Sequence, residues 1–440
     1  MHEEIKLIKL EIIKYIRRII ICLAIFALII VMIPFIADSI SERIMQNRLR
    51  AEFVYDFDYM LNFLEENFPL LGIIYRRNGV DMLELGIKLR NYLAYEADRN
   101  IITHEYFWTL LRDEFFDRAF PVGHLWLITD TSRDWDLARL ADIEIHPWFY
   151  ENTDVGFGRF YYIYRTAPRY GFYREQPRTF PRRQLSPGTV LYTRILEEGR
   201  IAYLGVTRLP AQISDEQFYL IDEFYREIAD FEHLIIDMRG NTGGFINFFN
   251  YLIAAPLIDR TQTVTFYHFF KAGQFNIDSF RLRNVRSRIL RTINFYYFFG
   301  DISDELMADL LNTDLFFEQR HRISPRSPEA DFNGKIWMLI DEYVFSAAQW
   351  VASAYKTMGF ATFVGETTGG MIGSYVYQDG SFDLLRLMLP NTGFIIRFDN
   401  TLMMDLTGRP LEYGTEPHFF NRPGLDALET VLQMIYENTY

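Results

Sequence analysis

"DEYVFSAAQWVASAYKTMGFATFVGETTGG", Asp341 to Gly370, puts one serine, Ser346, where an apolar strand gives way to a helix. The flanking stretches "KIWMLID" and "ATFVGE" read as short strands, so strand, helix and strand make a βαβ crossover of a parallel sheet. Ala347, Val351, Ala354, Tyr355 and Met358 fall on one face of the helix, and Gly359 stops it. A serine at that helix N-terminus stands among unpaired backbone N–H groups, at the positive end of the dipole. The address suits a nucleophile beside an oxyanion. It suits an ordinary N-cap equally well, and N-caps are far commoner.

The same rhythm extends upstream. "TVLYTRILEEGRIAYLGVTRL" reads as two strands around the "EEGR" turn. "SDEQFYLIDEFYREIADF" is an amphipathic helix with Ser214 as N-cap, and "HLIIDMRG" is a third, apolar strand. Directly after it, "DMRGNTGG" (Asp237 to Gly244) brings Gly240, Gly243 and Gly244, whose missing side chains let main-chain N–H groups approach a ligand. It matches neither the phosphate loop GxxxxGK[ST] nor the dinucleotide GxGxxG pattern. The stretch from about 271 to 332 breaks the rhythm and reads as a helical, polar insertion.

The chain has 440 residues, 49% hydrophobic and 17% aromatic, enough for a sizeable core. Its net charge of −13 argues against a nucleic-acid partner. One cysteine, Cys22, excludes an internal disulfide framework and a cysteine-rich zinc site, and the eight histidines form no HExxH pair. No metal or organic cofactor is expected.

Ile19 to Ala37, "IIICLAIFALIIVMIPFIA", carries no charge. At about 1.5 Å per residue it reaches about 28 Å, the apolar thickness of a bilayer. Lys6, Lys9, Lys14, Arg17 and Arg18 precede it, which predicts a cytoplasmic N-terminus and an exported remainder. A cleaved signal peptide is the rival, but the run is long and "FIADSI" lacks a small-x-small site. The predicted organisation is a basic segment 1–18, a transmembrane anchor 19–37, a helical N-terminal domain 41–120 and a strand and loop connection 121–188. A core over 189–440 follows. The Tyr-, Phe-, Arg- and Pro-rich stretch 147–187 reads as irregular strands and loops over the core, or as the wall of a peptide groove.

A nucleophilic serine needs a base. Lys356, ten residues along the same helix and about 15 Å away, cannot reach Ser346. His124, in "FPVGHLWL", and His418, in "GTEPHFF", are candidates whose meeting with Ser346 spacing cannot show.

"LIIDMRGNTGG", followed about a hundred residues later by "FSAAQWVASAYKTMGFATFVGETTGG", resembles the tail-specific, C-terminal processing protease superfamily, in its tricorn-like and retinoid-binding-protein-like branch. "VGHLWL" resembles the family's histidine segment, and "GRPLEYGTEPH" its motif near the end. The resemblance implies a crotonase-like (ClpP-like) spiral of βαβ units and a serine endopeptidase acting on a peptide or protein substrate. It implies Ser346 as nucleophile, His124 as general base and Glu412 as the group that orients the base. The N–H groups of Ala347 and of Gly243 or Gly244 would form the oxyanion hole. Asp237 and Arg239 would shape the glycine loop, and His418 would stand behind the site. Departures from the family pattern are Met371 where the serine–lysine branch has its lysine, Leu125 and Val122 in the histidine segment, and His418 at an aspartate position. The rival class is a binding module of the same fold without catalysis, its pocket lined by some of the 40 Phe and 28 Tyr. An esterase elbow, GxSxG, is missing from the sequence.

Overall fold

The computed structural model describes residues 2–96, 102–128, 189–282, 285–289, 302–327, 330, 332–370, 372–377 and 385–440. Residues 147–187, most of the connection 121–188, and Met371 lie outside them.

Three sheets organise the described chain. The largest has six strands, in the spatial order Phe419–Phe420, Thr362–Gly365, Lys335–Ile340, His233–Asp237, Ile201–Val206, Leu191–Glu197. All neighbours in it run parallel except the last pair, the hairpin turned at "EEGR". This is a mixed α/β fold with a mostly parallel sheet. Strands Ile201–Val206 and His233–Asp237 are buried along their whole length, and Lys335–Ile340 from Trp337 on, as strands covered on both faces must be. Helix Asp215–Glu227 makes the first crossover, with Ser214 and Gln217 closing a capping box. Helix Ala347–Thr357 makes another. The sequence pattern predicts one apolar face for it, but every residue from Ala347 to Tyr355 is buried. Its small alanines let it lie inside the molecule.

The stretch expected to be a polar helical insertion holds helices Gln274–Leu282 and Asp304–Leu311, and also a nine-residue strand. Leu315–Ile323 pairs antiparallel with Gln262–Phe270 in a four-stranded sheet that also holds Arg288–Ile289 and Leu402–Met404. Its residues alternate between buried and exposed from Phe317 onward, a period-two signal that intervening charges had disguised. The buried face of this sheet carries two imidazoles, His268 and His321. Burial pushes them down to about 3 and about 4, so both are neutral.

The N-terminus is one helix, His2–Asn67. The apolar residues from Ile19 to Ile36 are exposed on every side of it. It is long and apolar enough, over part of its length, to cross a membrane. From Phe53 on, the same helix turns Phe53, Phe57, Met60 and Leu64 into a core shared with helix His104–Thr109, capped by Thr103, and with a third sheet. That sheet orders Trp126–Leu127, Ile395–Phe398 and Leu385–Met388, all antiparallel. Polar contacts centred on Asp56 fasten helix to sheet. Fully buried Asp56 accepts hydrogen bonds from Asn391 N and Thr392 N, both at 2.8 Å, from Thr392 Oγ1 at 2.7 Å and from Asn391 Nδ2 at 3.0 Å. Asn391 and Thr392 form the turn between the last two of those strands.

Replacing Asp56 by Ala should strand those donors and cost about 3 kcal/mol. A lowered thermal midpoint of the detergent-solubilised chain is the expected result. An unchanged midpoint would mean the contact contributes nothing.

Candidate active site

The parallel sheet brings two loops together. Strands His233–Asp237 and Lys335–Ile340 are neighbours running the same way, so the glycine loop and the Ser346 loop leave from the same edge. Asp341 Oδ1 joins them, accepting Gly240 N at 2.9 Å and Tyr343 N at 3.1 Å. Asp237 takes the main-chain N–H of Arg239 at 2.9 Å, its guanidinium at 2.8 Å and the Tyr203 hydroxyl at 2.7 Å. Both residues therefore hold the start of the glycine loop in shape.

Ser346 stands at the N-cap position of helix Ala347–Thr357 but does not cap it. Its side chain makes no capping hydrogen bond, and its backbone sits at φ 59°, ψ −128°, far from the extended conformation an N-cap adopts. Its N–H donates to Gly370 O at 3.0 Å, which fixes the turn. A non-glycine residue at positive φ is strained, and such strain gathers at functional sites.

The third sheet supplies the partner. Trp126 pairs with Arg397 and Leu127 with Ile396, and continuing that register by two residues sets His124 opposite Asp399. Asp399 N donates to Gly123 O at 2.7 Å and so extends the ladder. His124 also has positive φ, 45°. Its Nε2 lies 3.0 Å from Ser346 Oγ, and its Nδ1 lies 2.7 Å from Asp399 Oδ2. All three residues are buried. With a carboxylate accepting from Nδ1–H, Nε2 bears the lone pair that faces the hydroxyl.

Burial drives the His124 imidazole below its ordinary range, and this outweighs the pull of Asp399 the other way. Burial would raise Asp399, but the neighbouring His124 and the Ser374 hydroxyl more than offset it, and its carboxyl ends below the usual value. Asp399 also accepts Gly373 N at 2.9 Å and the Ser374 hydroxyl. The result is a neutral imidazole between a hydroxyl and a carboxylate.

Glu412 does not take the place the resemblance gives it. Its Oε2 accepts the N–H of Gly123 at 3.2 Å, and Asp399, not Glu412, is on the imidazole. Burial first, and then the charge of Asp399, push the Glu412 carboxyl up to about 8, so it is protonated at neutral pH. A group in that state supplies a contact to the chain beside His124, not a negative charge. His418 is bonded to strand Thr362–Gly365, its Nδ1 accepting Phe363 N at 2.9 Å. Lys356 donates to Glu416 O at 2.7 Å.

The candidate oxyanion amides separate as well. The Gly243 N–H donates to Asn241 Oδ1 at 2.9 Å. Among the described residues the N–H groups of Gly244 and Ala347 donate no hydrogen bond. Close approach demands glycine here. A Cβ on Gly243 would lie 2.9 Å from Ala347 N and 3.0 Å from Ser346 Cβ, and one on Gly244 would collide with Leu209 O. A cleft of about 480 Å³ is lined by Arg77, Phe120, Tyr343, Phe345, Gly369 and Tyr413, and so reaches the residue that precedes Ser346 in the chain. Its volume is that of a small-ligand or side-chain site.

Asp399, Gly373 and Ser374 escaped the sequence reading. The available signal was an acidic residue closing the apolar strand "FIIRF", a poor place for a charge unless a partner awaits it.

The model of peptidase family S41 matches residues 200–419, from the hairpin to the far edge of the six-stranded sheet. His124 lies ahead of that stretch. No curated protein sequence matches the chain. Among solved structures, a protein from Parabacteroides merdae ATCC 43184 superposes with a TM-score of 0.52 at 16% identity, over 88% of this chain and 97% of that one. Mature CPAF complexed with lactacystin gives 0.51 at 14% identity, over 89% and 97%. At those identities the likeness concerns the fold alone. Half of the chain fits the family model, and the chain therefore belongs to peptidase family S41 and is a serine-type peptidase.

Proposed function

We propose that the chain is a membrane-anchored serine endopeptidase with Ser346 as nucleophile and His124 as general base, Asp399 holding the imidazole. The observation that carries this reading is the buried chain of hydrogen bonds from Asp399 through His124 to Ser346. Ser346 Oγ attacks a peptide carbonyl and His124 Nε2 takes its proton. The Ala347 and Gly244 N–H groups receive the oxyanion, and water later releases the acyl group. Glu412 acts through Gly123, and Gly243 through the shape of its loop. The fold is proposed to be the crotonase-like spiral. Residues 19–37 are proposed as the anchor, with the helical domain 41–120, the connection 121–188 and the core 189–440 beyond the membrane. The uncharged run and the basic residues before it support that orientation.

Ser346→Ala should abolish hydrolysis of a casein substrate, and His124→Ala should lower kcat/KM on the order of a thousandfold or more. Unchanged turnover in either would remove that residue from the mechanism.

Asp399→Ala should lower kcat by roughly a hundredfold to ten-thousandfold. Glu412→Gln, a close mimic of the protonated carboxyl, should stay within about tenfold of the parent. Reversed magnitudes would return the orienting role to Glu412.

The same variant has a pH signature in stability. Between about pH 4.5 and 8 the folded chain keeps a proton on Glu412 that the unfolded chain releases, so stability falls as pH rises through that window. Thermal unfolding should show Glu412→Gln gaining on the parent from pH 5 to pH 8. A constant difference would place the Glu412 carboxyl in its usual range.

A further inference from the structure

The helix that carries the apolar run and the helix that opens the folded core are one element, with no linker between them. Helix His2–Asn67 runs unbroken from the apolar residues, through an exposed stretch beginning at Asp38, to Phe53, its first fully buried side chain. From Asp38 to Asp56 it rises about 27 Å at about 1.5 Å per residue. At the top of that rise stands the Asp56 contact. It holds the turn Asn391–Thr392, the turn leads into strand Ile395–Phe398, and Asp399 follows directly with His124 on it. Gln46 adds a lower tie, its Oε1 accepting Ile102 N at 2.7 Å. Lys271 Nζ adds one above, donating to Glu65 O at 2.7 Å.

We propose that this helix is a rigid strut that holds the catalytic serine at a fixed height above the bilayer. The substrates it selects are membrane-held proteins whose scissile segment is presented at that height. The proposal rests on the membrane anchoring and the serine mechanism given above. A flexible tether would let the peptidase sample many heights and discriminate among none. A helix fastened to the folded core from Gln46 upward, and continuous with the apolar run below, sets one height and one azimuth of the core on its anchor. Soluble peptides, which reach the site by diffusion, are cut without regard to the strut.

The test reconstitutes the full chain in liposomes with a series of single-span reporters. Each carries an unstructured casein segment on a helical spacer of graded length. The parent should cut one narrow range of spacer lengths best. A seven-residue helical insertion between Ser41 and Glu42 adds about 10 Å and close to two whole turns, so the azimuth is kept. The optimum should move outward by about that distance, while hydrolysis of free casein is unchanged. Replacing 38–44 by a Gly/Ser linker should flatten the preference. Equal cleavage at every spacer length by the parent, or an optimum that stays put after the insertion, would overturn the strut. Failure of the full chain to float with liposomes would overturn the anchoring and the strut with it. Loss of free-casein hydrolysis in the unmodified chain would instead overturn the serine mechanism.

Discussion

One residue, Gly123, is gripped by the peptide groups on both sides of its Cα, and the site depends on it. Its N–H is held by Glu412 and its carbonyl by the N–H of Asp399. Between those grips the chain bends to positive φ at the next residue, and the imidazole of His124 is delivered to Asp399 and Ser346 together. A Cβ at position 123 would run into Phe68 and Leu70, side chains of the N-terminal helical region. That region thus helps shape the pocket from which the histidine emerges. Neither the parallel sheet nor the helices alone would produce the arrangement. The sheet presents the hydroxyl, the small antiparallel sheet presents the carboxylate, and Gly123 joins the two.

Electrostatics follow from the same closeness. Two carboxyl groups, Asp399 and Glu412, lie near one buried imidazole, and their surroundings drive them apart. Asp399 receives the imidazole, an amide and a hydroxyl, and stays ionised. Glu412 has the amides of Gly123 and Ile372 and the nearby Arg77 charge, but its burial and the charge of Asp399 outweigh them, and it holds its proton. A single negative charge remains where two would repel, and it sits on the residue in contact with the ring.

Much of this was legible in the sequence, and the unread parts have physical reasons. The βαβ units showed because parallel strands buried on both faces are continuous apolar runs, and because Ser214 and Gly359 punctuate their helices. Ser346 and the glycine loop stood out because each follows such a run directly. Asp399 did not, because its importance comes from an antiparallel register with residues 126 and 127, some 270 positions earlier. Nothing local in "RFDNT" announces a pairing across that separation. Glu412 was noticed by motif, but whether a carboxylate touches a ring or its neighbouring amide is decided by a few ångströms of packing. The strand Leu315–Ile323 was hidden because its outward-facing Glu318, Arg320 and Arg322 gave a polar average to a half-buried element.

The two neutral imidazoles under the four-stranded sheet have a consequence of their own. His268 is fully enclosed, its Nδ1 on the Thr401 hydroxyl at 3.0 Å, and Thr401 lies two residues from Asp399. An unfolded chain would take up protons on both rings as the surroundings acidify below about pH 6.5, whereas the folded one refuses them until far lower. Acid therefore favours the unfolded chain at these two rings. The interior thus sets an acidic boundary to the compartments in which such an enzyme can endure, whatever its chemistry would tolerate.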